Sequence, residues 1–426
     1  MVKLVNTLSR LKPATIMVIG DLLLDSYTFG ETRRLSPEAP VAIVNVLKEE
    51  HRPGGAGNVV LNLVSLEAKV VLVGRVGNDW AGETLKTALN DEGISTQAVY
   101  CQERYRTPVK NRVIADNQQI VRIDHEQITP LDEQTEKKII ADLPQLLKSV
   151  EIIALSDYGK GVLSTSLLKA ITAEAKMRKI MVITDPKGHD FHKYKGTTII
   201  KPNLGEAYAA ANLPTSAPLA EVAKRILELT EAEILMITRS EAGISLFNVK
   251  GEQFDFPVQA KEVKDVTGAG DTVLAMLAHA LANKLSYAEA VQLCNVAAGI
   301  AIEHVGCARI SLSDLARRLL ESNISHKVFD HEQLFVLQKI LEGRKFNTLV
   351  IEGQGSITSS LYQTIKKLST NSIPLIIFTP EKNGVFIDML TSLKEISFIL
   401  NHQGSVQLLN PPQIHYFKND ELVESR

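Results

Sequence analysis

Short, continuous apolar runs recur between residues 15 and 238 and alternate with segments in which apolar residues repeat at helical spacing. The runs occupy residues 15–19, 70–73, 152–155, 180–184, 198–200 and 234–238, and the helical segments include 58–66, 164–177 and 219–229. Continuous runs of this length are typical of strands buried on both faces of a parallel sheet. The alternation therefore predicts a doubly wound α/β domain with a mainly parallel sheet.

A second pattern, short runs rich in β-branched residues, occurs in two places. One run covers residues 41–46, and two others, 109–114 and 119–123, flank the turn-forming pair Asp116 and Asn117. We expect these segments to form a small β lid, built from about residues 26–52 and 105–124. The alternative is that they are two further edge strands of the main sheet.

The rest of the chain predicts the end of this domain and the start of another. Two apolar helices, over residues 271–282 and 287–303, precede a polar stretch, 321–327, that is typical of a linker. The pattern restarts as helix (331–341), strand (348–351), helix (359–368) and strand (374–379). We therefore predict a first domain over residues 1–322 and a smaller α/β domain over residues 330–426.

Composition narrows the classes of function. The 426 residues carry a formal net charge of −2, which provides no overall positive field to attract nucleic acid or an anionic membrane. The three cysteines are widely spaced and fit a reducing compartment better than a disulfide framework. Residues 1–13 lack the features of a secretory signal, and no apolar run approaches the roughly 20 residues that span a bilayer. We expect a cytoplasmic protein without nucleic-acid or membrane partners.

The strongest chemical signal is the segment Asp265-Val-Thr-Gly-Ala-Gly-Asp271, which opens an apolar helix. Glycines let the backbone approach a ligand, and the free N–H groups of a helix N-terminus attract anions. A carboxylate directly after such a site would repel phosphate, so it suits removal of a proton from a hydroxyl nucleophile. The segment predicts phosphoryl transfer, with Asp271 as the base and Gly268, Ala269 and Gly270 as an anion hole. The alternative is a capped helix after a flexible loop.

Together with other motifs, this segment resembles the ribokinase-like (PfkB) family of carbohydrate kinases over about residues 10–315. The other motifs are Gly20-Asp21 after the first strand, Gly54-Gly-Ala-Gly-Asn58 and Asn203-Leu-Gly-Glu206. The resemblance implies ATP and Mg²⁺ as cofactors, with Glu206 acting on Mg²⁺ indirectly, and a monovalent cation such as K⁺ near Asp265 and Thr267. The residues it implies for the sugar are Asp21, Asp25, Gly54, Gly55 and Asn58, and those for ATP are Asn203, Glu206, Thr238, Ser240, Gly243, Asn295 and Gly299.

Four further strings resemble one branch of this family, the kinase half of the bifunctional heptose 7-phosphate kinase and heptose 1-phosphate adenylyltransferase of lipopolysaccharide biosynthesis. The strings are Arg34-Leu-Ser-Pro-Glu-Ala-Pro-Val, Arg52-Pro-Gly-Gly, Ser156-Asp-Tyr-Gly-Lys-Gly and Asp185-Pro-Lys-Gly. The resemblance implies ATP-dependent phosphorylation of D-glycero-D-manno-heptose 7-phosphate at the anomeric 1-hydroxyl, and a lid that contributes to a homodimer. A phosphorylated sugar needs cationic partners. The candidates are Arg34, Arg52, Lys110, Arg112, Arg122, Lys160 and Lys187.

The second domain lacks the His-x-Gly-His motif that the nucleotidyltransferase half of such bifunctional relatives carries after its first strand. The corresponding strand, 348–351, continues into Glu352-Gly-Gln-Gly355 without a histidine pair. We interpret this domain as a degenerate nucleotidyltransferase-like remnant that packs or dimerises.

Two other functions stay open at this point. A related kinase acting on fructose 6-phosphate, ribose or a nucleoside would be favoured by fewer than three cations converging on the pocket. A catalytically silent sugar sensor or scaffold would be marked by loss of the base or of the anion site, and the sequence retains both.

Overall fold

The computed structural model describes residues 2–116, 118–258, 263–321, 327–329, 333–369, 374–380, 384–400 and 406–424. The chain folds as two compact units. The larger unit covers Lys12–Ser311, and the smaller one combines Met1–Leu11 with Leu312–Arg426. The smaller unit begins with helix α1 (Val2–Leu8).

The larger unit consists of strands β1–β13 and helices α2–α9, with 3₁₀ turns at His192–Tyr194 and Ser240–Ala242. The strands are β1 (Thr15–Gly20), β2 (Leu22–Leu35), β3 (Ala42–Gly55), β4 (Lys69–Gly77), β5 (Val99–Gln102), β6 (Val109–Ala115), β7 (Gln118–His125), β8 (Ile152–Ser156), β9 (Met181–Asp185), β10 (Ile199–Ile200), β11 (Ile234–Thr238), β12 (Ile244–Asn248) and β13 (Gln253–Phe256). The helices are α2 (Ala56–Ser65), α3 (Trp80–Asp91), α4 (Glu133–Leu146), α5 (Thr165–Arg178), α6 (Leu204–Ala211), α7 (Leu219–Thr230), α8 (Ala269–Ala282) and α9 (Tyr287–Ala301).

The main sheet has the strand order β13-β12-β11-β10-β9-β8-β1-β4-β5. Neighbouring strands from β11 to β5 are parallel, and β12 and β13 add an antiparallel edge. Helices α4 to α7 pack on one face, and α2 and α8 pack on the other. The predicted doubly wound, mainly parallel sheet is confirmed.

The carboxyl ends of the central strands meet at one edge of this sheet. Gly20, which ends β1, pairs with Ser156 at the end of β8, and Ser156 pairs with Asp185 at the end of β9. Ile200 ends β10 beside Thr184 of β9. The residues that follow these strands therefore converge at the edge where open α/β sheets bind ligands.

The predicted β lid is a separate four-stranded sheet in the order β3-β2-β6-β7, so the alternative of two further edge strands is wrong. Strands β2 and β6 pair in parallel, and each also pairs with an antiparallel neighbour. Asn117, in the predicted turn, lies outside the described residues. Side chains alternate along each strand, so one face of the lid, here called the inner face, carries Asp25 and its cross-strand neighbours Arg52 and Lys110.

The smaller unit contains a six-stranded sheet in the order β14-β17-β16-β15-β18-β19. Its further elements are α10 (Leu312–Glu321), β14 (Val328–Phe329), α11 (Leu334–Leu341), β15 (Asn347–Glu352), α12 (Ser359–Leu368), β16 (Leu375–Phe378), α13 (Gly384–Ser392), β17 (Phe398–Leu400), a 3₁₀ turn at Gln407–Leu409, β18 (Ile414–Lys418) and β19 (Glu421–Glu424). Most of the predicted linker and the start of the predicted helix 331–341 lie outside the described residues. Among the described helices of the chain, none has the length and apolar character needed to cross a membrane.

The division of the chain differs from the one that the hydrophobic pattern predicts. The pattern places residues 1–11 in the first domain and the boundary between residues 322 and 330, whereas the smaller unit includes α1 and resumes at Leu312. In the structure Leu4 and Leu8 of α1 are buried, and α1 packs against α10 and α11. Hydrophobic periodicity reports local structure, so it does not show that the two ends of a chain pack together.

Candidate active site

Asp271 lies in the first turn of α8 and is 2% exposed. Asn58, at the start of α2, donates a hydrogen bond from Nδ2 to Asp271 Oδ2 at 2.8 Å. The hydroxyl of Tyr158 donates to Asp271 Oδ1 at 2.7 Å. Both carboxylate oxygens are therefore held in place. The motifs do not assign a role to Tyr158, although it belongs to the string that begins at Ser156.

The surroundings of Asp271 suit a base that works near neutral pH. Burial raises the pKa of this carboxyl to about 7. The hydrogen bonds from Asn58 and Tyr158 act in the opposite direction, as does the positive charge of Lys201, whereas the charge of Asp185 adds to the rise. A general base is most effective when its pKa lies close to the working pH. Asp271 meets this requirement.

Gly268 precedes α8 with a φ of 76°, in the left-handed region that glycine adopts without strain. A Cβ at this position would lie 2.7 Å from Asn58 Nδ2 and 3.1 Å from Cys307 Sγ. Any side chain here would therefore displace the amide that holds Asp271.

A buried ion pair lies beside Gly270. Lys201 Nζ is 2.9 Å from Asp185 Oδ2, and a Cβ on Gly270 would lie 3.8 and 3.7 Å from these two atoms. Burial raises the pKa of Asp185, and Lys201 acts against this rise. The pair places a positive group beside the N-terminus of α8, where an anion would bind. The motifs do not assign roles to Lys201 and Asp185, although their positions at the ends of neighbouring parallel strands could have indicated them.

Asp25 connects the inner face of the lid to the region around Asp271. Arg112 Nη1 is 2.5 Å from Asp25 Oδ1, and both side chains are buried. Cys307 Sγ is 3.8 Å from Asp25 Oδ2 and also lies against Gly268. Predicted sugar residues and the predicted base thus line one continuous region.

Gly54 and Gly55 end β3 and lead the chain into α2, which carries Asn58. A Cβ on Gly54 would lie 2.1 Å from Asp25 Oδ2, so the backbone packs directly against this carboxylate. Gly55 has a φ of 59°, which an L side chain rarely adopts. The glycine pair lets β3 turn sharply into α2 next to Asp25.

The inner face of the lid has a surplus of positive charge. Arg52 and Arg112 both lie over the ring of Tyr27, at 5.3 Å from its centroid. Five cationic side chains share this face with three carboxylates, and they are Lys48, Arg52, Lys110, Arg112 and Arg122 with Asp25, Glu50 and Asp124. The surplus of two positive charges matches the charge of a phosphate group.

Arg34 lies away from this region. It is exposed and pairs with Ile43 near the far end of β2, nine residues beyond Asp25. At about 3.3 Å per strand residue, the two positions are roughly 30 Å apart. The prediction that Arg34 binds substrate therefore does not hold for the pocket of its own chain, because β2 is a long extended strand.

Asp21 and Lys160, two other predicted substrate residues, have protein partners. Asp21 is fully buried, and its carboxylate accepts hydrogen bonds from the backbone N–H groups of Tyr158 and Lys160 at 2.9 Å and of Val162 at 3.0 Å. Lys160 Nζ is 2.7 Å from Glu126 Oε2. Asp21 thus anchors the loop after β8 and is not directed at a ligand.

Lys187, also predicted to contact the sugar, lies with predicted ATP residues instead. Its Nζ is 2.7 Å from Glu206 Oε1. Glu206 and Asn203 form a capping box at the start of α6, in which each side chain accepts a hydrogen bond from the other residue's backbone N–H, at 2.9 and 3.0 Å. Asn203 also pairs with Thr238, so these groups share the carboxyl ends of β10 and β11.

A cavity of about 400 Å³ is lined by α8, α9 and the loop after β11. Its lining includes predicted ATP and anion-hole residues, namely Thr238, Ser240, Gly243, Ala269, Gly270, Asn295 and Gly299. The other lining residues are mostly valine and isoleucine. An apolar cavity with polar groups at one end has the character of a small-molecule site.

Asp265 accepts hydrogen bonds from Thr267 and from the loop after α9. The carboxylate of Asp265 accepts the N–H and the hydroxyl of Thr267 at 2.9 and 2.7 Å, and the N–H of Gly306 at 2.8 Å. Burial acts to raise the pKa of Asp265, but these hydrogen bonds outweigh it and lower the pKa. Asp265 therefore stays ionised close to Gly268.

Comparison with known families agrees with this geometry. The family model described as pfkB family carbohydrate kinase matches residues 14–314. This chain belongs to the pfkB family. The match runs from β1 beyond α9, so the PfkB portion contains Asp271, the lid and the 400 Å³ cavity.

PfkB proteins with high sequence identity to this chain carry the name Bifunctional protein HldE. The protein from Trichlorobacter lovleyi is 45% identical over 316 residues, which cover 74% of this chain and 64% of that protein. The protein from Geobacter metallireducens is 46% identical over 301 residues, covering 70% of this chain and 61% of that protein. The chain thus matches less than two thirds of the length of these relatives.

Solved PfkB-like structures share the fold at low sequence identity. Arabidopsis thaliana ribokinase complexed with ribose and ATP has a TM-score of 0.56 and 18% identity, covering 72% of this chain and 99% of that one. Escherichia coli phosphofructokinase-2 in complex with potassium has a TM-score of 0.61 and 19% identity, covering 73% of this chain and 100% of that one. The ribokinase-like fold is confirmed.

Proposed function

We propose that this chain is an ATP-dependent kinase that phosphorylates D-glycero-D-manno-heptose 7-phosphate at its anomeric 1-hydroxyl to give the 1,7-bisphosphate. The observation that carries the proposal is a buried carboxylate, Asp271, between a glycine-rich helix N-terminus and a lid with surplus positive charge. The four strings that resemble the heptose kinase branch and the 45% identity to Bifunctional protein HldE support the choice of sugar. The product would serve ADP-heptose and lipopolysaccharide core synthesis.

Asp271 acts as the base in this reaction. Its pKa of about 7 allows the carboxylate to accept a proton from the sugar hydroxyl at neutral pH. Asn58 and Tyr158 hold the two oxygens, so the base does not rotate away from the acceptor. The N–H groups at the start of α8 and the ammonium of Lys201 stabilise negative charge on the transferring phosphoryl group.

The 400 Å³ cavity would hold ATP, because its apolar lining suits the base and Gly270, at the start of α8, lies in the same lining and suits the phosphates. Mg²⁺ bound with ATP supplies charge that neutralises the phosphates. The carboxylate of Glu206 is the hard oxygen donor that this ion prefers, and it would hold the ion indirectly, since Lys187 and the capping box already contact its two oxygens. Lys187, which contacts Glu206, adds a positive charge beside this carboxylate.

The lid favours a phosphorylated sugar over ribose or a nucleoside. An uncharged substrate would leave the surplus of two positive charges on the inner face uncompensated. This face carries five cationic side chains, more than the three that separate the alternative substrates. Lys110 is the clearest candidate because no ion pair is formed by it in the described part of the chain. We propose that Lys110 and Arg112 contact the 7-phosphate.

The test is Mg·ATP turnover with a panel of sugars and sugar phosphates, comparing the chain with Asp271→Asn. We expect heptose 7-phosphate to be converted to a 1-phosphorylated product, with kcat reduced by about 10³-fold or more in the variant while ATP still binds. Preference for fructose 6-phosphate, ribose or a nucleoside would overturn the heptose assignment and keep the kinase. Intact folding and ATP binding without any turnover would favour a sugar sensor.

We also propose a homodimer formed through the lid. Apolar side chains that are exposed in the single chain cluster on its strands, and they include Leu35, Val46, Leu47, Ile120 and Ile123. A second copy would bury them. Light scattering after gel filtration, with Leu47→Asp as the variant, should show a dimer that the variant weakens, and a monomeric parent chain would contradict this.

The monovalent cation and the compartment are further parts of the proposal. The ionised Asp265 next to Thr267 supports a K⁺ site that stimulates turnover, which exchange of KCl for choline chloride would test.

A cytoplasmic location is supported by three cysteines that are all free, because such thiols persist in a reducing compartment.

The smaller unit is proposed to be a degenerate nucleotidyltransferase-like domain without adenylylation activity. After β15 the chain continues through Glu352-Gly-Gln-Gly355 into α12 and offers no histidine pair there. Incubation of heptose 1-phosphate with ATP should release no pyrophosphate. Pyrophosphate and ADP-heptose as products would refute this part of the proposal.

A further inference from the structure

The proposed mechanism uses Tyr158 only to hold the carboxylate of Asp271 in place, but its hydroxyl also bears on the protonation of that carboxylate. Its hydroxyl donates to Asp271 Oδ1 at 2.7 Å, and Asn58 holds the other oxygen. Burial is the main reason why the pKa of the Tyr158 hydroxyl lies well above its usual value, and the nearby negative charge of Asp271 raises this pKa further. The hydroxyl therefore remains protonated and acts as a donor to Asp271 at any working pH.

The loop that carries Tyr158 is hydrogen-bonded to the carboxylate of Asp21. Three alternate backbone N–H groups, of Tyr158, Lys160 and Val162, converge on this one buried carboxylate at 2.9, 2.9 and 3.0 Å. Gly159 and Gly161 lie between them with φ of 68° and 100°, which bends the loop so that all three N–H groups point inward. Asp21 thus fixes the backbone position of Tyr158.

Arg75 also holds this loop, through hydrogen bonds to backbone carbonyl oxygens. It is fully buried, and it donates to the carbonyl oxygens of Lys160 at 2.7 Å and of Pro130 at 2.8 Å. Its guanidinium also lies 3.9 Å from the centroid of the Tyr105 ring. Moving a buried arginine away from its carbonyl partners would cost several kcal/mol, so Arg75 restrains the loop.

We propose that Tyr158, anchored through Asp21, is a positioning residue that fixes the orientation and the charge state of the base Asp271. This inference rests on the proposed role of Asp271 in phosphoryl transfer. Without the hydroxyl, Asp271 Oδ1 would be buried without its hydrogen-bond donor. The carboxyl would then retain its proton to a higher pH and turn more freely about its side-chain bonds.

Other groups around Asp271 bear on its titration. They are the amide of Asn58 from α2, the carboxylate of Asp185 from β9, the ammonium of Lys201 after β10 and the thiol of Cys307 after α9. Replacement of Tyr158 by phenylalanine leaves all of these in place. A change in titration can therefore be assigned to the missing hydroxyl.

The test compares the pH dependence of kcat/KM in the chain and in Tyr158→Phe. We expect the acid limb to move up by about one pH unit, giving a loss of about fivefold at pH 7 and near parity at pH 9. KM for ATP should not change. Replacing Tyr158 with a fluorotyrosine, whose hydroxyl is a stronger donor, should move the limb in the opposite direction.

Tyr194→Phe is the matched control. Tyr194 is buried, and its hydroxyl, like that of Tyr158, donates to a buried carboxylate, here Asp157 at 2.7 Å, but it does not touch Asp271. This variant should lose similar stability and keep the pH profile of the parent. Equal profiles for Tyr158→Phe and Tyr194→Phe would overturn the proposal.

A measurement without turnover separates this inference from the proposed function. Carbon-13 NMR of labelled aspartate carboxyls, with Asp271→Asn for assignment, should show the midpoint of Asp271 rising in Tyr158→Phe. An unmoved midpoint would refute the positioning role even if heptose 7-phosphate is the substrate. A raised midpoint in a chain that does not phosphorylate heptose 7-phosphate would refute the substrate assignment alone.

Discussion

Asp265 and Asp271 begin and end one short segment, yet their surroundings move their pKa values in opposite directions. Burial dominates at Asp271 and raises its pKa to about 7, whereas three hydrogen bonds outweigh burial at Asp265 and lower its pKa. Carboxylates with divergent pKa values can perform different tasks in one site. Asp271 can exchange a proton at neutral pH, and Asp265 provides a permanent negative charge.

Gly268→Ala should reduce turnover by about tenfold or more, because its Cβ would press on Asn58, which holds Asp271. Gly93→Ala is a matched control: Gly93 has a similar φ of 73°, but its Cβ would meet nothing within 4 Å. Both variants carry the backbone strain, and only the first should lose kcat in a steady-state assay. Equal losses would contradict the contact explanation.

His279, inside α8, should make stability depend on pH. Both ring nitrogens are buried without a hydrogen-bond partner in the described part of the chain, and burial lowers the pKa to about 4. The unfolded chain binds a proton below about pH 6.5 and the folded chain does not, so stability is lost as the pH falls from about 6.5 towards 4. The loss should reach about 3 kcal/mol.

Urea unfolding at pH 7.5 and pH 5 checks this prediction. His279→Leu should remove its share of the pH dependence, while His189→Leu, at an exposed position, should keep it. The same pH dependence in the parent chain and His279→Leu would contradict the assignment to His279.

For single residues, the sequence predicts the role of a side chain well when the side chain belongs to a contiguous motif. It predicts the role poorly when the partners lie far away along the chain. Asp271, Gly268 and Asn58 follow from motifs and do meet in space. The actual partners of Asp21 are backbone N–H groups about 140 positions along the chain, and no local pattern encodes them. For the same reason Tyr158 has no visible role in the sequence.

Among the elements, α6 shows how a helix start can combine a stabilising cap with a residue proposed to act on a ligand. Its capping box joins Asn203 and Glu206, and Glu206 also pairs with Lys187. Helix α9 begins with a second capping box, Ser286 and Glu289, outside the lining of the 400 Å³ cavity. The same local structure is therefore found both at Glu206, the residue proposed to act on Mg²⁺, and at Glu289, for which no ligand is proposed.

Glu206→Gln should raise the Mg²⁺ concentration for half-maximal rate by about tenfold, because the amide keeps the cap but loses the charge. Glu289→Gln makes the same change in α9 and should leave the Mg²⁺ dependence as it is. Thermal unfolding should show similar, small effects in both variants. Equal Mg²⁺ dependence in the two variants would contradict the proposed role of Glu206.

Element types followed well from periodicity, and element partners did not. Runs such as 152–155 and 234–238 fall on strands because burial on both faces requires continuous apolar residues. The lid strands were recognisable, but the length of β2 was not, and this length carries Arg34 away from Asp25. The pairing of β2 with β6 joins segments that are far apart in sequence, so it becomes visible only in the fold.

For the whole molecule, the main feature is the order along the sequence: the residues of the larger unit, Lys12–Ser311, separate the two segments that form the smaller unit. Helix α1 contributes Leu4 and Leu8 to the smaller unit, where α10 and α11 cover it. A chain cut after residue 311 would keep α1 without these partners.

We therefore expect a chain of residues 1–311 to aggregate more than one of residues 12–311, because the former exposes an apolar helix face. Gel filtration with light scattering measures the difference. Replacing Leu4 and Leu8 with glutamine in the longer chain should restore its behaviour. Identical profiles for the two chains would show that α1 does not need the smaller unit.

The same arrangement sets an order of events during synthesis. A ribosome makes α1 before the larger unit, but the residues of α10 and α11 that cover α1 emerge only from Leu312 onwards. At about 5–20 residues per second, α1 waits roughly 15 to 60 s for its partners. The larger unit has time to fold in this interval, so the smaller unit closes after it, by joining a helix made before the larger unit to segments made after it.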